Sequence, residues 1–304
     1  MDYYNEIKLE LINNETYKRV KDYSKNRSDL MTYYNVGKLL IEAQGGEDRA
    51  KYGDGLIKQY SERLTLELGK GYTVTNLKYM RQFYVFLKKG HTLCDALTWS
   101  HYRQLLYIEN SGEINYYINI SVSQNLSVRE LINKIKNCEY ERLDEDTKRK
   151  LLVDSNNSNN QINDFIKHPI IIRNKYNYQE ISERILKQLI LEDISSFMQE
   201  LGNGFSFIKS EFKIKIGDKF NYIDLLMFNY IYNCFVVVEL KITEIKAEYI
   251  GQVKKYMNYV DKNIKRIGQD NTIGIIICKK DDKFVMEYCS DDRIYRTTYE
   301  LVCI

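Results

Sequence analysis

The sequence predicts two domains of different class, an all-α N-terminal domain followed by an α/β C-terminal one, and three observations carry that reading. Through residues 1–152 apolar residues recur at three and four spacing, without the alternation of a sheet. From Phe205 onward, short runs rich in β-branched and aromatic residues take over, separated by turn residues. Between the two regions stands VDSNNSNNQIN, Val153 to Asn163, rich in Asn and Ser with little to bury. Residues 153–168 are therefore expected to be a linker, and 169–304 the second domain.

In the first domain, helices are expected at Leu30 to Ala43, Leu56 to Leu68, Leu77 to Leu87, His101 to Glu109 and Val128 to Asn137. Leu56, Tyr60 and Leu64 form a stripe, and Ser127 with Glu130 makes a capping box at the start of the last helix. Breaks at Gly45-Gly46 and Gly69-Lys70-Gly71 separate the early helices, and the charged run Glu139 to Lys150 is expected to end another. The two helices around Gly69 to Gly71 are compatible with a helix-turn-helix. Thr75, Asn76, Lys78 and Arg81 then lie near the leading edge of the second helix, with Lys70, Lys88 and Lys89 in reach of phosphates. A plain helical bundle with a solvated basic face fits the same pattern.

The second domain is expected to enter through HPIIIRNK, a short extended link, and to continue as one long helix over Glu180 to Leu201. Phe205 to Ile216 alternates, and Gly217-Asp218 turns it into a strand over Phe220 to Phe228. Tyr230 to Asn233 leads to a second buried run, Cys234 to Leu240. A helix over Ala247 to Val260 and a central strand at Thr272 to Cys278 follow. Phe284 to Cys289 and Ile294 to Leu301 extend the sheet.

Three charged residues interrupt the two buried runs: Asp224, Glu239 and Lys241. An unpaired ionised carboxylate in a sheet core costs several kcal/mol at least, so these need a cation, a proton or a water-filled cleft. Glu239 and Lys241, two apart on a strand, project from one face. Carboxylates from neighbouring strands suit Mg²⁺ or Mn²⁺, with the Leu240 carbonyl placed as a further ligand. The chemistry that fits is phosphodiester hydrolysis, with Lys241 orienting water or neutralising charge; a basic role would need a depressed pKa. A structural ion pair between Glu239 and Lys241 is the alternative. On the following helix, Gln252 and Tyr256 are four apart and share a face.

Composition narrows the classes. The formal net charge of +3 neither demands nor excludes nucleic acid, because local clustering of Lys and Arg decides. Six cysteines and three histidines are scattered without zinc spacing or a disulfide framework. No apolar stretch reaches membrane-spanning length, and MDYYNEIKLE has no secretory character, so a soluble cytoplasmic protein is expected.

The run ID-x14-ELK followed by QVKKY resembles the PD-(D/E)xK nuclease superfamily, in the branch where a Q-xxx-Y helix flanks the active site. More closely, YIDLLMF, VVVELK, EYIGQ and TIGIIIC resemble the C-terminal domain of the YhcG family of bacterial nucleases. YGDGLIKQYSERLTLELGKGYTVTNLKYMRQFY and LTWSHYRQLLYI look like its N-terminal domain, believed to be of helix-turn-helix type. The resemblance implies a restriction-endonuclease-like fold, DNA as partner with RNA open, and a Mg²⁺ or Mn²⁺ cofactor. It also implies catalytic roles for Asp224, Glu239, Lys241, Gln252 and Tyr256, and one more acid from the preceding helix. Glu192 is the expected one, with Glu200 its rival. The family's Pro before the Asp is replaced by Ile223. Two other classes stay open: a binding module that has lost turnover, and N-terminal helices serving protein interaction or homo-oligomerisation.

Overall fold

A computed structural model describes residues 2–19, 25–46, 54–91, 93–153, 164, 166–280 and 291–303. Contacts divide the chain into two compact units, Met1–Tyr140 with Leu151–Ser155, and Glu141–Lys150 with Asn156–Ile304. Most of the linker expected at 153–168 lies outside the described residues, as does Phe284 to Cys289.

The regular elements of the first unit, among its described residues, are all helices: α1 (Tyr3–Arg19), α2 (Lys25–Ala43), α3 (Asp54–Leu68), α4 (Val74–Lys88), α5 (Trp99–Leu105), α6 (Ser111–Ser123) and α7 (Val128–Lys136). The division between the units runs through α8 (Glu145–Val153). Ile7, Leu40, Ile57, Leu64 and Leu77 are fully buried together, at the spacing the helical stripes dictate. At Gly37 a Cβ would stand 2.1 Å from the Met80 carbonyl oxygen, so glycine is what lets α2 and α4 approach this closely. The Ser127–Glu130 capping box opens α7 as expected. His101 is a capping residue: its Nδ1 meets Thr98 and its Nε2 the Leu126 carbonyl.

The second unit is a six-stranded mixed sheet with helices on both faces. Its elements are β1 (Ile170–Asn174), α9 (Glu183–Glu192), α10 (Ile194–Leu201), β2 (Phe205–Ile216), β3 (Lys219–Asn229), β4 (Cys234–Leu240), α11 (Ala247–Asn263), β5 (Asp270–Cys278) and β6 (Ile294–Cys303). The strand order is β1-β6-β5-β4-β3-β2. The pairs β2–β3 and β3–β4 are antiparallel, and the pairs β4–β5, β5–β6 and β6–β1 are parallel. One face buries Leu225, Val236, Val238, Leu240 and Ile275 with Leu186 and Leu189 of α9 and Phe197 and Leu201 of α10. The other buries Ile223, Leu226, Val237 and Ile276 against Ile250, Val253, Met257 and Val260 of α11.

Two expectations are corrected. HPIIIRNK is not merely a link: Ile170 to Asn174 forms the edge strand beside β6, with Ile170 and Ile172 in the core. The helix expected over Glu180 to Leu201 is two helices, because Asp193 leaves helical geometry (φ −135°, ψ 50°). Its carboxylate then accepts the Ser196 amide and starts α10 afresh. No described helix is long and apolar enough to cross a membrane.

Candidate active site

Asp224 and Glu239 sit where two strands part company, near enough for the Asp224 charge to act on Glu239. The β3–β4 ladder ends at the pair Leu225–Val238, while β3 stays paired with β2 down to Lys219, and β4 stays paired with β5 to Leu240–Ile277. The next residues inward, Asp224 and Glu239, therefore stand at the mouth of a split in the sheet. Opposite Asp224 on β2, Glu211 holds a left-handed backbone (φ 46°) that non-glycine residues seldom adopt. Facing also slips here: Ile223 packs on the α11 side and Leu225 on the α9 side, although strict alternation would put both on one face. Such irregularities re-aim a side chain, here Asp224.

The carboxylates are held differently. Asp224 is half-buried, accepts the Leu240 amide through Oδ2 (3.0 Å), and meets Lys187 Nζ through Oδ1 (2.8 Å). Lys187 also reaches Glu211 (3.1 Å). Glu239 is almost wholly buried. Its Oε1 accepts from Lys241 Nζ (2.9 Å) and Gln252 Nε2 (2.7 Å), whereas Oε2 is buried with no hydrogen-bond partner. Gln252 also donates to the Tyr256 hydroxyl (3.0 Å), so its amide spends one donor on each. Lys241 has a second carboxylate at 3.6 Å, Glu183 in the first turn of α9, and stands 5.1 Å from the Tyr249 ring centre.

Electrostatics follow from this placement. Burial, then the Asp224 charge, push the Glu239 carboxyl up to about 7, against the lowering effect of Lys241. Burial disfavours the Lys241 cation, but the Glu239 hydrogen bond and the carboxylates of Glu239, Glu183 and Asp224 outweigh it, so its pKa is raised. Lys187 is likewise raised, burial being outweighed by Asp224 and Glu211. Both shifts favour the ammonium forms of Lys187 and Lys241 in this arrangement.

The structure brings Asp224, Glu239, Lys241, Gln252 and Tyr256 together, with the Leu240 backbone bound to Asp224. Glu192 is not brought to the cluster. It is exposed at the far end of α9, where Gln188 (2.8 Å) and Tyr176 bind it. The rival Glu200 is a buried ion-pair partner of Arg142 that also accepts the Ile171 amide (3.0 Å). The residues α9 does send to the site are Glu183 and Lys187, which the sequence reading missed. Both stand at polar positions with no periodic signal.

In the helical unit, the α3–α4 turn leaves Lys70 and Thr75 exposed. The Asn76 side chain is committed to the Gly71 carbonyl (2.8 Å), its amide to the cap Thr73, and Arg81 to Gln44 (3.2 Å). Lys78 is partly buried beside Leu77, which faces the core.

A profile of the YhcG PDDEXK nuclease domain matches residues 163–302, the region that holds this cluster, and a profile of the DUF1016 N-terminal domain matches residues 10–142. The chain belongs to the YhcG family. A YhcG-family relative, "Putative nuclease YhcG" of Escherichia coli (strain K12), is 28% identical over 283 residues, covering 81% of this chain and 76% of its own. Two solved structures are also similar. One is a repair endonuclease from Pyrococcus abyssi (19% identity, TM-score 0.29, 40% of this chain), the other an EndoMS complex with double-stranded DNA (18%, TM-score 0.29, 42%); each match spans 48% of the solved chain. The C-terminal part is a nuclease domain of PD-(D/E)xK class, and Ile223 before the Asp leaves its fold intact.

Proposed function

We propose that this YhcG-family chain hydrolyses phosphodiester bonds in DNA with a divalent ion, Mg²⁺ or Mn²⁺, held by Asp224 and Glu239. The observation that carries the reading is Glu239 Oε2, a buried carboxylate oxygen without a partner beside a second carboxylate. An all-oxygen donor set suits a hard cation. Asp224 and Glu239 are two side-chain ligands at most. The ion would keep most of its waters, with the Leu240 carbonyl as a candidate further ligand.

When bound, the ion would supply Lewis-acid activation of the phosphate and of a water. The chain's own residues do the rest. Asp224 Oδ1 exchanges its contact with Lys187, leaving that ammonium to Glu211 or to an incoming phosphate. Lys241 stays protonated, orients the attacking water and offsets charge that builds on the phosphate. Gln252, tied to Tyr256, fixes the rotamer of Glu239 so that Oε2 points into the site. Glu183 steadies Lys241, in the helix-acid position expected of Glu192.

The helical unit is proposed to recognise DNA through the α3–α4 turn, with Lys70, Thr75, Lys78 and Arg81 on phosphates or bases and Asn76 holding the turn. Cytoplasmic DNA is the proposed substrate pool. Labelled DNA and RNA substrates with Mg²⁺, Mn²⁺ or EDTA test the reading on the full chain. Cleavage should need metal and fall at least ~100-fold in Asp224→Asn, Glu239→Gln and Lys241→Ala. Lys70→Glu with Lys78→Glu should weaken DNA binding without altering metal dependence. Equal cleavage in EDTA, or by Glu239→Gln, would overturn it.

A further inference from the structure

The β2–β3 hairpin extends beyond the site as a two-stranded ribbon whose two faces differ in chemistry. Register pairs Lys213 with Tyr222 and Lys215 with Phe220, so these four side chains share one face. On the opposite face Ile214 and Ile223 are buried in the α11 core, with Phe212 and Ile216 against it. Burying that inner face accounts for the ribbon's position. It gives no reason for the outer aromatics, since Phe220 and Tyr222 are 56% and 53% exposed. Lys213 Nζ stands 3.8 Å from the Phe220 ring centre, so a cation and a flat apolar surface are presented together.

Charge points to the occupant. Residues 209–222 hold Lys209, Lys213, Lys215 and Lys219, all exposed, against Glu211 and Asp218, and Glu211 is already taken by Lys187. Lysines read phosphates of duplex and single strand alike, but exposed rings gain only from base faces, which a duplex hides in its stack. The rings stand two residues apart, roughly 7 Å, and Asp224 lies two residues further along the same strand. A strand laid on the ribbon thus runs toward the split in the sheet.

We infer that this face binds unpaired nucleic acid, with bases stacked on Phe220 and Tyr222 and phosphates on Lys213 and Lys215, and that it leads single-stranded substrate to the metal site. The inference rests on the nuclease reading above and adds the substrate class.

Fluorescence anisotropy on the full chain in EDTA tests it, with a labelled oligothymidylate of about twenty nucleotides and a duplex of equal length as probes. Phe220→Ala with Tyr222→Ala should weaken oligothymidylate binding about tenfold or more and change duplex binding less than about twofold. Phe220→Leu with Tyr222→Leu keeps the apolar area, loses the rings, and should behave alike. Lys213→Ala with Lys215→Ala should weaken both probes and lower the salt slope by about 1 to 2. Unchanged oligothymidylate affinity in the ring variants would overturn the inference. So would an equal loss on both probes, or a change of oligomeric state in the ring variants, which would assign the face to a protein partner. Mn²⁺-dependent hydrolysis of bis(p-nitrophenyl) phosphate, too small to touch the ribbon, keeps the two readings apart. Its retention by the ring variants leaves the nuclease reading standing whatever the ribbon binds, and its absence in the unaltered chain sinks that reading alone.

Discussion

Glu239 is costly to the metal-free protein. Its two oxygens live in different surroundings, Oε1 with two donors and Oε2 with none, and the carboxyl titrates at about 7 instead of its ordinary 4.5. A raised carboxyl pKa favours the folded state while the group is protonated, below the ordinary value, and that stability is lost as pH climbs through the raised value. The metal-free chain should therefore lose stability between pH 4.5 and about 7, by on the order of 3 kcal/mol from this group. Glu239→Gln, which carries no charge, should remove that dependence. Urea unfolding in EDTA at about pH 5 and pH 8 checks it: the variant should gain on the unaltered chain at the higher pH. Identical pH dependence in the two proteins would show that Glu239 is not buried as an unsatisfied acid.

At the level of elements, α11 sets the distance between Gln252 and Glu239, and β5 sets the height of α11. At Gly274 a Cβ would meet Val253 Cγ1 at 2.3 Å and Met257 Sδ at 2.8 Å. Met257 can shift, but the stiff Val253 side chain cannot without moving the helix. Gly274→Ala should cost about 1–3 kcal/mol in unfolding free energy and lower cleavage, because Gln252 is carried off Glu239. Full activity in a destabilised Gly274→Ala would show that the helix does not position the carboxylate. Strands β3, β4 and β5 and helix α11 were legible because β-branched runs of strand length and an apolar stripe at helical spacing leave few other structures open. The same logic put Asp224, Glu239 and Lys241 in one place, and the resemblance to a Q-xxx-Y helix added Gln252 and Tyr256 to them. That logic failed where periodicity carried on through a break. Ile190, Ile194, Phe197 and Leu201 keep three and four spacing across Asp193, so a single helix over Glu180 to Leu201 was expected where two stand. Strand β1 was hidden by Pro169 ahead of its isoleucines. Glu183 and Lys187 had no sequence signal, because their contacts depend on how α9 lies on the sheet.

At the scale of the whole molecule, a modest formal charge of +3 hides local concentration: Lys187 and Lys241 inside the site, four more lysines along the ribbon. The sheet, split at its β3–β4 seam, supplies the acids, and the helices on its two faces supply what surrounds them. Glu183 and Lys187 come from one side, Gln252 and Tyr256 from the other. The central claim is that Asp224 and Glu239 share one ion. Calorimetric titration of Mn²⁺ into the metal-free full chain tests it most directly, alongside Asp224→Asn and Glu239→Gln. The account expects one class of site in the unaltered chain and an affinity at least about tenfold weaker in each variant. Binding of equal strength in all three proteins, or no binding in the unaltered chain, would contradict it.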